Sequence, residues 1–324
     1  MLTLLCSPKP FRDDAEPNQL NAMRSWRAMD RGVEILVFGN SPGVASAAAE
    51  VGATHIPQIE CSPSGAPSFN FMAEYAAEHG RFELQIYVNA DILVDGNLVS
   101  AMKCVAARFP RFLLVGERLD LAEGVLIDVR EPGWPSRLGI LAKEGRATLH
   151  GPTGVDYFGY RRGAWLGLPP VFMGRAMCDQ ALLHFGFRNR IPVIDGTMAV
   201  LAVHQFHGYQ HVQGGGREVF QGEDLEAMSV AHGLRRSLPT IADADWSLMA
   251  DGVSVDRRRH GRRLRQIELM IRYHWGMPHL ALAVRALQHL GGKRSLLDRD
   301  HSTAAVLLGW RHEGSSEGGL LSTR

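Results

Sequence analysis

Over the first 116 residues, strand-length apolar runs alternate with stretches of helical spacing, and this alternation constrains the fold more than any other feature of the chain. Apolar runs at 2–6, 34–38, 54–56 and 84–88 are each followed by a helix-like segment, at 18–29, 44–51, 68–78 and 98–109, before 111–115 returns to strand. A βαβα order of this kind implies a mostly parallel sheet with helices on both faces. Residues 1–116 therefore read as one nucleotide-binding type of sheet. The pattern weakens between 117 and 151, where Glu131-Pro-Gly-Trp-Pro-Ser136 is a turn-rich break before a short helix around 138–143. That segment reads as an excursion from the sheet. Order resumes with a strand at 154–160, a helix around 176–185 and sheet elements at 191–194 and 198–203.

Gln213-Gly-Gly-Gly216 is a flexible exit that ends the main domain, so 1–216 forms one α/β unit and 217–324 a helical extension. Helical character returns at 224–233 and 262–291, and the Gly- and Ser-rich stretch 313–324 reads as a mobile tail. No apolar stretch approaches the roughly 18 residues a membrane-spanning helix needs. The start of the chain lacks the basic flank and small-residue cleavage site of a secretory signal and reads as a first strand. Four cysteines lie far apart without a CxxC pair, which argues against a disulfide framework or zinc cluster and for a reducing, cytoplasmic setting. With 35 Lys+Arg against 34 Asp+Glu, the net charge of +1 gives no electrostatic case for a nucleic-acid partner. One local exception is Arg257-Arg-Arg-His-Gly-Arg-Arg-Leu-Arg265, which precedes an amphipathic stretch at 267–275. Residues 257–275 read either as a peripheral contact with the inner face of the membrane or as a solvated Arg-rich helix packed by its apolar side.

The most informative segment is Tyr87-Val-Asn-Ala-Asp-Ile-Leu-Val-Asp-Gly96, an apolar strand that runs straight into an Asn-x-Asp pair. Ligands of open parallel sheets collect beyond the carboxyl ends of the strands, where Asn89 and Asp91 fall. A carboxylate there can hold a hard divalent cation, which in turn can bridge a diphosphate. The competing reading has Asp91 open a turn or cap the following helix.

At these residues the sequence resembles the GT-A fold glycosyltransferases, nucleotide-sugar transferases whose DxD motif ends the fourth strand of a Rossmann-like sheet. The resemblance covers roughly residues 1–212. It rests on Asn89-Ala-Asp91 in the DxD place, Gly65-Ala-Pro-Ser-Phe-Asn70 opening the preceding helix, Gly174-Arg-Ala-Met-Cys-Asp179, and Val203-His-Gln-Phe-His207. More narrowly, the chain is similar to a little-characterised bacterial group with an NxD variant of that motif. The resemblance implies a nucleotide-binding part at 1–116 and an acceptor and metal part at 117–216. It implies Asp91 and a late histidine, His204 or in its stead His207, as ligands of Mn²⁺ or Mg²⁺, with Mn²⁺ the better match to a mixed N/O set. It implies Asp179, at the start of a helix, as the general base, and Asp156 as the other candidate, better suited to binding acceptor hydroxyls. Pro8 and Lys9 after the first strand, Asn40 after the second, Asn70 on the third helix and Asn89 fall where the nucleotide diphosphate would lie.

The function so implied is a metal-dependent transfer of a sugar from a nucleotide-diphosphate donor to an acceptor hydroxyl, by direct displacement with inversion, a retaining route being the alternative. Two other readings stand beside it. One is a sugar-1-phosphate nucleotidyltransferase, disfavoured because Cys6-Ser-Pro-Lys-Pro-Phe11 contains no glycine. The other is a non-catalytic nucleotide-sugar-binding or scaffold protein, for which Asn89 in place of the first Asp is the hint. Oligomeric state is not legible.

Overall fold

The computed structural model describes residues 1–12, 15–206, 219–234, 238–249, 255–257, 271 and 280. The apolar runs become β1 (Thr3–Cys6), β2 (Glu34–Phe38), β3 (Thr54–Ile56) and β4 (Leu84–Val88), separated by α1 (Ala15–Met29), α2 (Val44–Glu50) and α3 (Phe69–His79). After β5 (Ile92–Val94), α4 (Asn97–Arg108) leads to β6 (Leu113–Val115). The strands β1 to β4 order as β4-β1-β2-β3, all parallel, with Leu4 opposite Ile35 on one side and Ile86 on the other.

Alternate residues of these strands feed two separate cores, which is why β1, β2 and β4 are mostly apolar instead of strictly alternating. Leu4, Cys6, Ile35, Val37, Ile86 and Val88 pack with Met23 and Trp26 of α1 and Leu98 and Met102 of α4. Leu5, Leu36, Phe38 and Tyr87 point the other way, against Phe69, Met72 and Ala76 of α3. The Trp26 indole, fully buried, donates to the carbonyl of Ile92 at 2.9 Å and so ties α1 to the chain just beyond Asp91.

The segment after 116 is more structured than its weak periodicity suggests. It contributes β7 (Leu119–Leu121), α5 (Trp134–Lys143) and β8 (Ala147–Leu149). Pro135, which reads as a break, sits in the first turn of α5, where a missing N–H costs nothing. Beyond it, β9 (Tyr157–Arg161) inserts antiparallel between β4 and β6, and α6 (Cys178–Arg188) leads to β10 (Val193–Asp195). The sheet element expected at 198–203 is instead β11 (Ala202–His204), and it leaves the main sheet. It pairs with β5 and β7, and β7 with β8, in a second sheet ordered β5-β11-β7-β8.

The main sheet does not end before residue 216, as the sequence reading had it. After α7 (Glu223–His232), β12 (Trp246–Leu248) pairs parallel to β10, and β13 (Val255–Arg257) pairs antiparallel to β12, giving a nine-stranded order β13-β12-β10-β6-β9-β4-β1-β2-β3. A three-residue strand such as Trp246-Ser-Leu248 carries too little pattern to be seen in sequence. Among the described residues no helix is long and apolar enough to cross a membrane. The side chains of the Arg257–Arg265 run, the stretch 267–275 apart from Ile271, and the tail 313–324 lie outside the described residues.

Candidate active site

A cleft of about 760 Å³ opens at the carboxyl ends of β1, β2 and β4. Ser7, Pro8, Lys9 and Pro10 line it from the loop after β1, and Gly39, Asn40 and Ser41 from the turn after β2. Gly39 has φ +99°, a left-handed conformation that a side chain would strain. The β1 loop is held against α1 by two bonds to one carboxamide: Lys9 N–H donates to Gln19 Oε1 at 2.7 Å, and Gln19 Nε2 donates to the Lys9 carbonyl at 3.0 Å.

On the floor of the cleft lie Asn89 and Asp91, delivered by the end of β4. The Asp91 carboxylate is buried and pairs with Lys9 Nζ at 3.0 Å. Asn89 does something an aspartate would not. It accepts from Tyr87 Oη at 3.0 Å and donates from Nδ2 to Asp156 Oδ1 at 2.7 Å. The other oxygen of the buried Asp156 accepts from Arg118 Nη1 at 2.6 Å.

The second sheet builds the wall beside this floor. Its register sets His204 opposite Ile92 on one side and Asp120 on the other, so the two short strands carry His204 and Asp120 to the flank of Asp91. Asp120 then gathers three partners. Its Oδ1 takes Arg118 Nε at 2.7 Å and lies 3.3 Å from His204 Nδ1, while its Oδ2 lies 2.6 Å from His150 Nδ1. Burial acts to raise the Asp120 pKa, but the bonds to His150 and His204 and the Arg118 charge outweigh it and hold the carboxyl far below the usual range. Arg118 in turn is kept firmly protonated: its partial burial opposes the charge, and Asp156 and Asp120 together overcome that.

Asp156 and His204 line the cleft with Pro8, Lys9, Asn40, Asn89 and Asp91, so seven of the ten side chains singled out in the sequence are brought to one place. His207 lies outside the described residues. Asn70 is not brought to the cleft, because its carboxamide is spent on the neighbouring loop: Nδ2 donates to the Leu168 carbonyl at 2.9 Å and Oδ1 accepts from Val171 N–H at 2.9 Å. Asp179 stands behind the wall. Its Oδ2 accepts from Val155 N–H at 3.1 Å and its Oδ1 lies 3.3 Å from Cys178 Sγ. Burial, and then the charge of Asp156, push its pKa up to about 7.

Sequence reasoning missed Arg118, Asp120 and His150, which fall where the periodicity fades and carry no motif. It also missed Asp224, the buried anchor of the far wall. Arg175 and Ser64 line the cleft there, and both reach Asp224 of α7: Arg175 Nε donates to Asp224 Oδ2 at 3.1 Å, and Ser62 Oγ (2.7 Å) and Ser64 Oγ donate to the same oxygen. Arg175, Asp224 and Ser62 are all buried.

The donor set suits a divalent cation in part. Asp91 offers a carboxylate oxygen and His204 an imidazole whose Nδ1 faces Asp120, the carboxylate–imidazole arrangement that stands behind many metal-bound histidines. Among the described residues no three His, Cys, Asp or Glu side chains converge as a metal-holding group, so the remaining positions would have to be filled by oxygens of a bound diphosphate.

No protein-family model and no curated protein sequence matches the chain. Solved structures do. Residues 1–349 of S. aureus TarS, in complex with UDP-GlcNAc, match at 12% identity and a TM-score of 0.48, over 97% of this chain and 92% of that one. Glucosyl-3-phosphoglycerate synthase from Mycobacterium tuberculosis, in complex with Mg²⁺ and UDP, matches at 12% identity and a TM-score of 0.42, over 73% and 81%. A CMP:2-keto-3-deoxy-manno-octonic acid synthetase complexed with CTP matches at 16% identity and a TM-score of 0.35, over 63% and 88%.

Proposed function

We propose that the chain is a nucleotide-sugar-dependent glycosyltransferase that moves a sugar to an acceptor hydroxyl with inversion. The observation that carries this reading is the meeting of Asp91, Lys9 and His204 in one cleft at the carboxyl ends of parallel strands, the place where open α/β sheets bind nucleotides. The Pro8–Lys9 loop and Asn40 would flank the nucleotide, and the Lys9 ammonium would turn from Asp91 to the diphosphate. Asp91 and His204, with His207 in reserve, would hold Mn²⁺ or Mg²⁺. Such a cation neutralises charge on a departing diphosphate. Asp156, fixed by Asn89 and Arg118, would meet acceptor hydroxyls.

One observation favours a second reading. Lys9 already supplies Asp91 with a positive charge, which suits a nucleotide-binding protein to which a metal makes little difference. Thermal unfolding with UDP, GDP, CDP, ADP and dTDP, each with and without Mn²⁺, separates the two, because a ligand stabilises in proportion to the logarithm of its concentration over Kd. One nucleotide that raises Tm only with Mn²⁺, and not in Asp91→Ala, is the result expected of the transferase. Equal binding without metal would favour the second reading, and no response to any nucleotide would remove both.

A further inference from the structure

Asp91 is a buried carboxylate, and a buried charge needs a counter-charge. Of the other cations lining the cleft, Arg118 is shared by Asp120 and Asp156, and Arg175 is bonded to Asp224. Lys9 serves Asp91, with Nζ 3.0 Å from Oδ2. Its backbone is firmly held: the buried Gln19 bonds both its N–H and its carbonyl, and Pro8 and Pro10 restrict the chain on either side. The side chain is less confined. It is 26% exposed against 9% for that of Asp91, and its flexible stem lets the ammonium swing while its root stays still.

The carboxylate that Lys9 holds is the one the proposed divalent cation needs. An ammonium and a divalent cation on one carboxylate repel each other at close range. A diphosphate resolves the conflict. With it in the cleft, Lys9 Nζ exchanges a carboxylate oxygen for a phosphate oxygen, and Asp91 is released to the cation.

We propose that Lys9 is an internal counter-ion that makes the divalent cation and the nucleoside diphosphate bind as a pair; this rests on the metal-dependent transferase reading. In the nucleotide-free protein Lys9 guards Asp91, and a cation arriving alone must expel the ammonium. A diphosphate arriving alone draws Lys9 away and leaves the buried Asp91 facing like charge. Each ligand removes the obstacle to the other. By linkage each must then raise the other's affinity by the same factor, about tenfold or more.

Mn²⁺ titrations read by the EPR signal of the free ion test it, with and without the nucleoside diphosphate selected by the thermal panel. The wild type should bind Mn²⁺ about tenfold or more tightly with the nucleotide than without it. Lys9→Met, or Lys9→Gln if that variant folds poorly, should bind Mn²⁺ alone more tightly than the wild type, bind the nucleotide less tightly and show a smaller coupling factor. Lys9→Arg keeps the charge and should bind Mn²⁺ alone as weakly as the wild type. Equal Mn²⁺ affinity of the nucleotide-free wild type and the charge-removing variant overturns the role of Lys9 and leaves the transferase intact. A wild-type Mn²⁺ affinity that the nucleotide does not change overturns the coupling without any variant. A wild type that binds no nucleotide, or no Mn²⁺ in its presence, overturns the metal-dependent transferase, and the Lys9 assignment with it.

Discussion

Asn89 occupies a place where a carboxylate would be the simpler choice for holding a cation, and its neighbours explain the amide. Its Nδ2 donates to Asp156 Oδ1 at 2.7 Å, while its oxygen takes the Tyr87 hydroxyl. An aspartate here would set two carboxylates at hydrogen-bond distance in a largely buried site, where both cannot remain ionised. Arg118 offers only one of its nitrogens to Asp156 and is shared with Asp120, so it cannot neutralise a third acid. Asn89→Asp should therefore cost about 1–3 kcal/mol at pH 7.5, the scale of a buried polar group that has lost its partner. The loss should shrink near pH 5, where one of the pair can hold a shared proton. Urea unfolding of both proteins at the two pH values checks this, and an identical ΔΔG at both would mean that two carboxylates at these positions do not repel one another.

At the scale of elements, α7 is held on the cleft by a charge as well as by packing. Asp224 is its buried carboxylate, and it takes Arg175 and two serines from the far wall. Removing one partner of a buried pair strands the other, at about 3–5 kcal/mol. Asp224→Ala should thus lower stability on that scale and, because Arg175 and Ser64 line the cleft, weaken nucleotide binding as well. Glu223→Ala, one residue away and exposed, should change neither by more than about 0.5 kcal/mol. Chemical denaturation and a nucleotide titration on the two variants check the pair, and equal effects would place the role in α7 as a whole and not in Asp224. The same contrast explains what was legible in the sequence. Strands β1, β2 and β4 were visible because both faces are buried and all but one residue of each is apolar, and Asp91 was visible because it follows such a run. Strands β5, β7, β8, β11 and β12 are three residues each. Their pairing is decided by tertiary contacts, so Asp120 and His150 carried no local signal. Asp224 was hidden for another reason: a helical acid reads as solvated until the buried arginine opposite it is known.

Across the whole molecule, two sets of buried groups give opposite responses to pH. His184 on α6 and His232 on α7 are both buried, and burial lowers their pKa values, that of His184 to about 4. Both therefore bind a proton less readily when folded, and the unfolded chain binds more protons below an ordinary histidine pKa of about 6.5. The His184 contribution is present in full above that value and is lost as pH falls toward 4, and that of His232 changes in the same direction. Asp179 works in reverse. With its pKa pushed up to about 7, chiefly by burial, the folded chain holds a proton that the unfolded chain has released, and this contribution fades as pH rises through the window from about 4 to 7. Each group contributes a slope approaching 1.4 kcal/mol per pH unit where its protonation differs between the two states. Between pH 4.5 and 6.5 the slopes offset one another, and the wild type should show a shallow dependence. Asp179→Asn removes the falling component, so its stability should climb steeply with pH across that range. His184→Gln removes part of the rising one, so its stability should change with pH less steeply upward, or more steeply downward, than the wild type's. Denaturant unfolding at half-unit pH steps reads these slopes independently of each variant's absolute stability. Parallel profiles for all three proteins would mean that neither Asp179 nor His184 titrates differently in the folded chain.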